Sequence, residues 1–177
     1  MAWQAAEIIP LLRWQRHDFL NHLQVISGYI QLQKSDRALA YLRQAIDQME
    51  QLGQIMRLLQ PELALITLTR IEGATARGIT PEVKIETRLE NQALEPGDLA
   101  ELWATAWDLA LALCSGDTLS FTLTEARDGY RLQFHIPVPV TPPPPEAAAT
   151  LAGRQQVPFN WQPETGDLSI LLRKNSI

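Results

Sequence analysis

The segment RWQRHDFLNHLQVISGYIQLQ, Arg13 to Gln33, combines helical periodicity with an unusual set of polar side chains. Its apolar residues recur at intervals of three and four, which predicts an amphipathic helix. His17 and Asn21 are four residues apart and therefore share one face of that helix, away from the apolar stripe. A helix that only packs needs no such pair. The segment is predicted to have two functions, with packing on one face and chemistry on another.

The first 60 residues predict a helical hairpin. One seam with heptad spacing is followed, after a short link at Lys34 and Ser35, by a second seam, and Pro61 ends the second helix. Two long helices joined by so short a link must run antiparallel. The seam residues are Leu12, Arg16, Phe19, Leu23, Ile26 and Ile30 in the first helix, and Leu39, Leu42, Ile46, Met49, Gly53, Met56 and Leu59 in the second.

One hairpin cannot bury all of this apolar surface, because further apolar residues flank the seams. The predicted solution is a homodimer in which two hairpins form a four-helix bundle about a twofold axis. The alternative is that the C-terminal half of the same chain covers the surface, but that half is predicted to need its own core. The flanking residues are Leu20, Val25, Tyr29, Leu32, Tyr41 and Ala45.

After residue 60 the periodicity changes and predicts a second domain over 61–177, so the fold class is α+β. This domain is expected to be an α/β sandwich, one sheet with helices on one face. Its predicted elements, in chain order, are a helix ending near Gly78, a strand over 82–89, a helix over 96–114 with Asp98 as N-cap, two strands around a turn at Asp128–Gly129, a proline-rich extended segment over 137–145, and a closing strand over 166–174.

Composition excludes several classes of function. The net charge of −5 argues against nucleic acid as a main partner, since binding a phosphate backbone needs clustered Lys and Arg. The sequence has no apolar run near the roughly 18 residues that cross a bilayer and no secretory signal, so a cytoplasmic protein is predicted. The single cysteine, Cys114, lies in an apolar run and is predicted to be a buried core residue.

An exposed histidine is usually no more than a solvated side chain, but it can also accept a phosphoryl group. A free imidazole is largely neutral near pH 7, so one ring nitrogen has a lone pair that can attack phosphorus. His17, Asn21 and Gln24 form a polar line along the predicted solvent face. His22 lies one residue off this line, and His135 lies in a strand, so both are predicted to be structural or incidental.

The run RHDFLNHLQVISGYIQLQKSDRALAYL resembles the phosphoacceptor helix and turn of the sporulation-initiation phosphotransferase B family and of the related citrate-sensor type of histidine kinases. The features that carry this resemblance are Arg16-His17-Asp18, Phe19, Asn21, Leu23-Gln24, Ile26, Gly28 and the turn after Leu32. The resemblance is strong over about residues 10 to 60, and over 61–177 it extends mainly to the order of the elements.

The resemblance implies a role for each matching residue. His17 would be the phosphoacceptor, Asp18 would orient or polarise its imidazole, and Asn21 would lie beside the phosphoryl group. Arg16, Leu20 and Gln24 would contact the partner, although a merely solvated arginine is an equally good reading of Arg16. The partners would be phosphorylated response-regulator receiver domains, which would supply Mg²⁺ from their own acidic pockets; the chain itself is predicted to bind no metal, nucleotide or other cofactor.

The second domain resembles a degenerate histidine-kinase ATPase domain. The family implies an Asn in the helix after the first strand and a Gly-flanked Asp after a later strand. Neither is present: the helix reads ELWATAWDLALALCS, and prolines follow the strand YRLQFHI. The tryptophans Trp103, Trp107 and Trp161 are predicted to be core residues. The predicted function is phosphorelay between two receivers in sporulation initiation. Two alternatives remain, a divergent autophosphorylating kinase and a non-catalytic dimeric adaptor.

Overall fold

The computed structural model describes residues 5–137 and 157–175, so the predicted proline-rich segment lies almost entirely outside the described residues. The chain divides into two compact units, Met1–Gly53 and Gln54–Ile177. The described helices are α1 (Ala5–Gln31), α2 (Ser35–Ile55), α3 (Pro61–Ala76) and α4 (Pro96–Leu113). The strands are β1 (Thr80–Ile85), β2 (Thr118–Ala126), β3 (Gly129–His135), β4 (Phe159–Gln162) and β5 (Asp167–Arg173).

The division between the units falls earlier than the predicted boundary after residue 60. The last turn of α2 belongs to the second unit, in which Ile55 and Leu58 are buried. The side-chain oxygen of Gln54 accepts a hydrogen bond from the backbone N–H of Ile85 at 3.0 Å. Because β1 is the edge strand of the sheet, this bond satisfies a backbone donor that the sheet leaves unpaired.

The first unit is the predicted helical hairpin, but the predicted seams are not the faces that α1 and α2 present to each other. In the part of α2 that belongs to the first unit, the buried residues are Ala38 and Ala45, with Tyr41 between them. The Tyr41 ring reaches α1, where it lies 5.6 Å from the His22 ring and 6.3 Å from the Tyr29 ring. Eight of the predicted apolar seam residues of this unit stay exposed, namely Leu12, Phe19, Leu23, Ile30, Leu39, Leu42, Ile46 and Met49, as does the seam residue Arg16.

The second unit is a five-stranded mixed sheet of order β1-β2-β3-β5-β4. β1 and β2 are parallel and are connected through α4, whereas the other pairs are antiparallel. The hairpin turn before Gly129 is confirmed. The sequence missed β4, and α4 begins at Pro96 with Glu95 as its N-cap, so the prediction for Asp98 was wrong. Asp98 lies in the first turn, where the helix dipole favours a carboxylate.

The core of the second unit lies between the helices and one face of the sheet. Trp103 and Trp107 of α4 are fully buried against Phe121 and Phe134, with neighbouring ring centroids 4.8 to 5.4 Å apart. The indole N–H of Trp103 donates to the Thr67 hydroxyl at 2.9 Å. The prediction that these two tryptophans are core residues is confirmed, whereas Trp161 on β4 is only partly buried.

His135 lies on the opposite face of the sheet, where its Nδ1 is 3.0 Å from the Asp167 carboxylate. Burial alone would raise the pKa of Asp167, but hydrogen bonds from Thr165, His135 and Gln133, together with the charge of His135, outweigh it and lower the pKa. Since the folded-state pKa lies below the ordinary value of 3.8, Asp167 stabilises the fold above about that pH. This stabilisation is lost as the pH falls through the lowered value.

Replacing Asp167 by asparagine is expected to destabilise the protein by roughly 0.5–1 kcal/mol near neutral pH, because the side chain is partly exposed. The difference from wild type should shrink as the pH falls below 3.8. Denaturant unfolding at several pH values measures this difference in the free energy of unfolding. Glu164→Gln, an exposed change in the adjacent turn, is the control. A difference that does not vary with pH would contradict the assignment.

Candidate functional site

The polar line predicted on α1 is exposed in the structure, and two of its members contact each other. The side-chain amide nitrogen of Asn21 lies 3.1 Å from Nδ1 of His17. Both residues are exposed, as are Arg16, Leu20 and Gln24 on the same part of the helix. The spacing of four residues along a continuous helix creates this contact, since such residues lie one turn apart on one face.

Asp18 lies beside His22 and not beside His17. Its Oδ2 is 3.5 Å from Nε2 of His22, whereas the sequence-based expectation was that Asp18 orients the imidazole of His17. His22 is the most enclosed of these polar residues, with 14% of its side chain exposed, and its Nδ1 lies 3.1 Å from the hydroxyl of Tyr41. The structure therefore gives His22 a packing environment in the hairpin and leaves His17 on the surface.

The segment from Arg13 to Gln33 thus has three faces. His17 and Asn21 face solvent, Asp18 and His22 face α2, and the apolar residues Phe19 and Leu23 form a third, exposed face. Successive residues of an α-helix are rotated by about 100°, so three adjacent positions such as 17, 18 and 19 must point in three directions. The exposed polar pair and the residues that pack on α2 therefore lie on different faces of the same helix.

The His17 ring is open to solvent. His17 stands on a long helix with its ring accessible, so a large partner can approach it. Within the residues that the structure describes, no group of three or more His, Cys, Asp or Glu side chains is arranged to hold a metal ion. The arrangement offers one exposed imidazole with a side-chain amide beside it.

The residue that the sequence did not single out is Tyr41. It was noted only as an apolar residue beside the second seam, yet its hydroxyl contacts His22 across the hairpin. A buried tyrosine hydroxyl usually requires a hydrogen-bond partner, and this requirement was the available signal. The position of that partner on another helix could not be read from spacing along the chain.

The hairpin and the α/β unit define a class of two-domain architecture found in histidine kinases. Residues 1–58 match the family model of the sensor kinase SpoOB-type, alpha-helical domain. A segment of 63 residues is 36% identical to sporulation initiation phosphotransferase B of Bacillus subtilis strain 168, covering 36% of this chain and 33% of that protein. The helical hairpin of this chain is therefore similar to the SpoOB-type alpha-helical domain, and the resemblance found in the sequence is confirmed.

Two solved structures were found to be similar to this chain. Histidine kinase AdeS of Acinetobacter baumannii aligns with a TM-score of 0.50 at 10% identity, covering 90% of this chain and 98% of that one. The cytoplasmic segment of histidine kinase QseC aligns with a TM-score of 0.47 at 13% identity, covering 67% and 76% respectively. The likeness to AdeS confirms the predicted fold, a helical hairpin with a kinase-like α/β domain. No helix among the described residues is long and apolar enough to cross a membrane.

Proposed function

We propose that this chain is a phosphorelay phosphotransferase that carries a phosphoryl group on His17 between the aspartates of two response-regulator receiver domains. The observation that carries the proposal is the exposed His17 ring with the Asn21 amide 3.1 Å from its Nδ1, within a hairpin of the SpoOB-type family. The name of the Bacillus subtilis relative supports a role in sporulation initiation. The chain aligns with about a third of that relative, so the activity itself is part of the proposal.

The chemistry needs a lone pair on one ring nitrogen of His17. The Asn21 contact occupies Nδ1, so Nε2 is the ring nitrogen open to a partner. With the amide nitrogen facing the ring, Nδ1 accepts a hydrogen bond and Nε2 carries the proton. An asparagine amide can turn by half a rotation and present its oxygen instead of its nitrogen. In that orientation the oxygen accepts a hydrogen bond from Nδ1–H, and Nε2 keeps the lone pair in the ring plane. The amide would thereby select the reactive tautomer.

Transfer takes place in two steps. Nε2 attacks the phosphorus of the donor's aspartyl phosphate, the N–P bond forms, and the bond from phosphorus to the aspartate oxygen breaks with its electron pair. A carboxylate oxygen of the acceptor receiver then attacks the same phosphorus, and the N–P bond breaks. Positioning and charge neutralisation supply most of the catalysis in such transfers. The Mg²⁺ expected in each receiver would neutralise the phosphoryl oxygens.

The partner surface would surround His17. Arg16 would attract the acidic pocket of a receiver, while Leu20 and Gln24 would form the adjoining contact, and all three are exposed. Asp18 would act on the site only indirectly, through the placement of its neighbour His17. The protein would work in the cytoplasm. It would form a homodimer, because the exposed apolar stripe of the hairpin requires a covering surface.

The direct test mixes the purified protein with a receiver domain whose aspartate carries labelled phosphate. Label is expected to pass to the chain as an acid-labile, base-stable phosphohistidine, and then to return to an unlabelled receiver added afterwards. Binding of the receiver without transfer of label would instead identify a non-catalytic adaptor.

Replacing Asn21 by alanine is expected to slow transfer about tenfold to a hundredfold without abolishing it, because one hydrogen bond in the transition state is lost. Single-turnover transfer at a saturating receiver concentration measures this rate. Gln31→Ala, which removes an exposed amide further along the same helix, should leave it unchanged. An unchanged rate in Asn21→Ala would remove Asn21 from the site.

The protein is expected neither to bind ATP nor to phosphorylate itself from it. The aromatic rings of α4 that might stack on an adenine, Trp103 and Trp107, are fully buried in the core. The Asn and Gly-flanked Asp implied for an ATP-binding domain are absent from the sequence. Calorimetric titration with Mg-ATP measures the affinity for ATP. A dissociation constant of tens of micromolar or tighter would favour the alternative of a divergent kinase.

A further inference from the structure

We propose that Asp18, His22 and Tyr41 form a polar relay between α1 and α2 that fixes the rotation of α1 and so aims His17 and Asn21 at the partner. This inference rests on the proposed function of His17 and assigns positioning roles to His22 and Tyr41. The relay is defined by two distances, 3.5 Å from Asp18 Oδ2 to His22 Nε2 and 3.1 Å from His22 Nδ1 to the Tyr41 hydroxyl.

The chemistry of the three side chains fixes the direction of each contact when the ring is neutral. An ionised carboxylate accepts hydrogen bonds and donates none, so the nitrogen facing Asp18 must carry the proton. His22 is then the Nε2–H tautomer, and its Nδ1 is an acceptor. The Tyr41 hydroxyl must therefore donate to Nδ1. These two contacts give both ring nitrogens of His22 a partner.

The hydrogen-bonded contacts of His22 affect the stability of the hairpin because His22 and Tyr41 are largely enclosed. Only 14% of the His22 side chain is exposed, and the Tyr41 ring packs against both His22 and Tyr29. A buried polar group without a partner destabilises the fold, so rotations of α1 that separate His22 from Tyr41 are disfavoured. A cavity of about 30 Å³ borders Asp18, His22 and Gln48, which is enough room for one water molecule. The cavity is also lined by Trp14, Phe19, Met49 and Leu52, so the open side of the relay is mostly apolar.

The geometry of the helix links the relay to the reactive face. His17 precedes Asp18, and Asn21 precedes His22, so the outward pair and the inward pair are related by about 100° of rotation around α1. Both pairs have the same spacing of four residues. Anchoring the inward pair on α2 therefore sets the direction of the outward pair. Without the anchor, the apolar contacts of the hairpin would tolerate small rotations of α1, because such contacts are not directional.

The test uses single-atom and single-contact changes. Tyr41→Phe removes the hydroxyl and keeps the ring. His22→Gln keeps a donor near the place of Nε2 but loses the acceptor at Nδ1. Tyr29→Phe is the matched control, since it removes a hydroxyl from a ring that also packs on Tyr41. Wild type, these three variants and the double variant of Tyr41→Phe with His22→Gln are assayed at a temperature at which circular dichroism shows them folded.

Two readouts decide the proposal. First, ¹⁵N resonances of His22 at a pH where its ring is neutral are expected to show the Nε2–H tautomer in wild type and in Tyr29→Phe, and a tautomer mixture in Tyr41→Phe. Second, Tyr41→Phe and His22→Gln are each expected to lower kcat for transfer about threefold to tenfold with KM unchanged. The double variant should be no slower than the slower single variant, because both changes break the same contact.

The possible failures are distinguishable. If wild-type protein accepts no phosphoryl group, the proposed function fails, whatever the His22 resonances show. If wild type transfers normally but Tyr41→Phe has the same His22 tautomer and the same kcat, the relay alone is overturned. If stability falls while kcat stays at the wild-type value, the three residues serve the hairpin's stability only, and the positioning role is wrong.

Discussion

Replacing His17 by glutamine is expected to abolish phosphoryl transfer to the chain, a loss of at least several orders of magnitude in rate. Glutamine keeps polarity and similar size but has no nucleophilic ring nitrogen, and no other group of the exposed face can replace it. Because His17 is exposed and contacts only Asn21 among the described hydrogen bonds, the fold and its unfolding midpoint should be unchanged. Label transfer from a phosphorylated receiver, followed by acid treatment, measures the effect.

The structure supplies a matched control for this variant. His135→Gln removes the same kind of side chain from an exposed sheet position in the other unit, and it should transfer at the wild-type rate. His22 is less suitable as a control because of its contacts with Asp18 and Tyr41. If the His17→Gln protein still becomes labelled, or if the label is found on His22, the assignment of the phosphoacceptor is wrong.

Introducing charge into the exposed apolar stripe is expected to dissociate a dimer that is otherwise stable. Leu42 and Ile46 are 39% and 47% exposed in the single chain, so glutamates there would be solvated in a monomer. In a four-helix bundle the same glutamates would lie unpaired in the core, and each such charge is costly enough to prevent association. Wild type is expected to have twice the chain mass of 19.9 kDa by light scattering. The double variant should be monomeric or unfolded.

The exposed positions Ala40 and Gln44 provide the control for charge and spacing. Ala40→Glu with Gln44→Glu adds the same two charges at the same interval on α2, outside the apolar stripe. That protein should remain dimeric. A well-folded wild-type monomer at micromolar concentration would exclude the bundle, and it would leave the eight exposed apolar seam residues of the hairpin without an explanation.

Most of the second unit could be predicted from local patterns. The alternation of buried and exposed residues in β2 and β3, and the Asp128–Gly129 turn between them, gave the antiparallel pair. The short strand β4 was missed because four residues between two prolines, Pro158 and Pro163, have too little periodicity. The division of the chain after Gly53 could not be read from local patterns. It depends on the hydrogen bond between Gln54 and the edge strand β1, which are distant in sequence.

The sequence by itself determined that residues 5–55 form two helices, that an apolar stripe runs along each, and that His17 and Asn21 share a polar face. These features follow from a period of 3.6 residues and need no knowledge of neighbours. The tertiary structure alone decided which stripe faces the other helix. Two adjacent stripes have the same heptad spacing, and the one with Ala38, Tyr41 and Ala45 is enclosed while the more apolar one stays exposed. The physical reason is pairing, since the Tyr41 hydroxyl and the His22 ring satisfy each other only when these two faces meet.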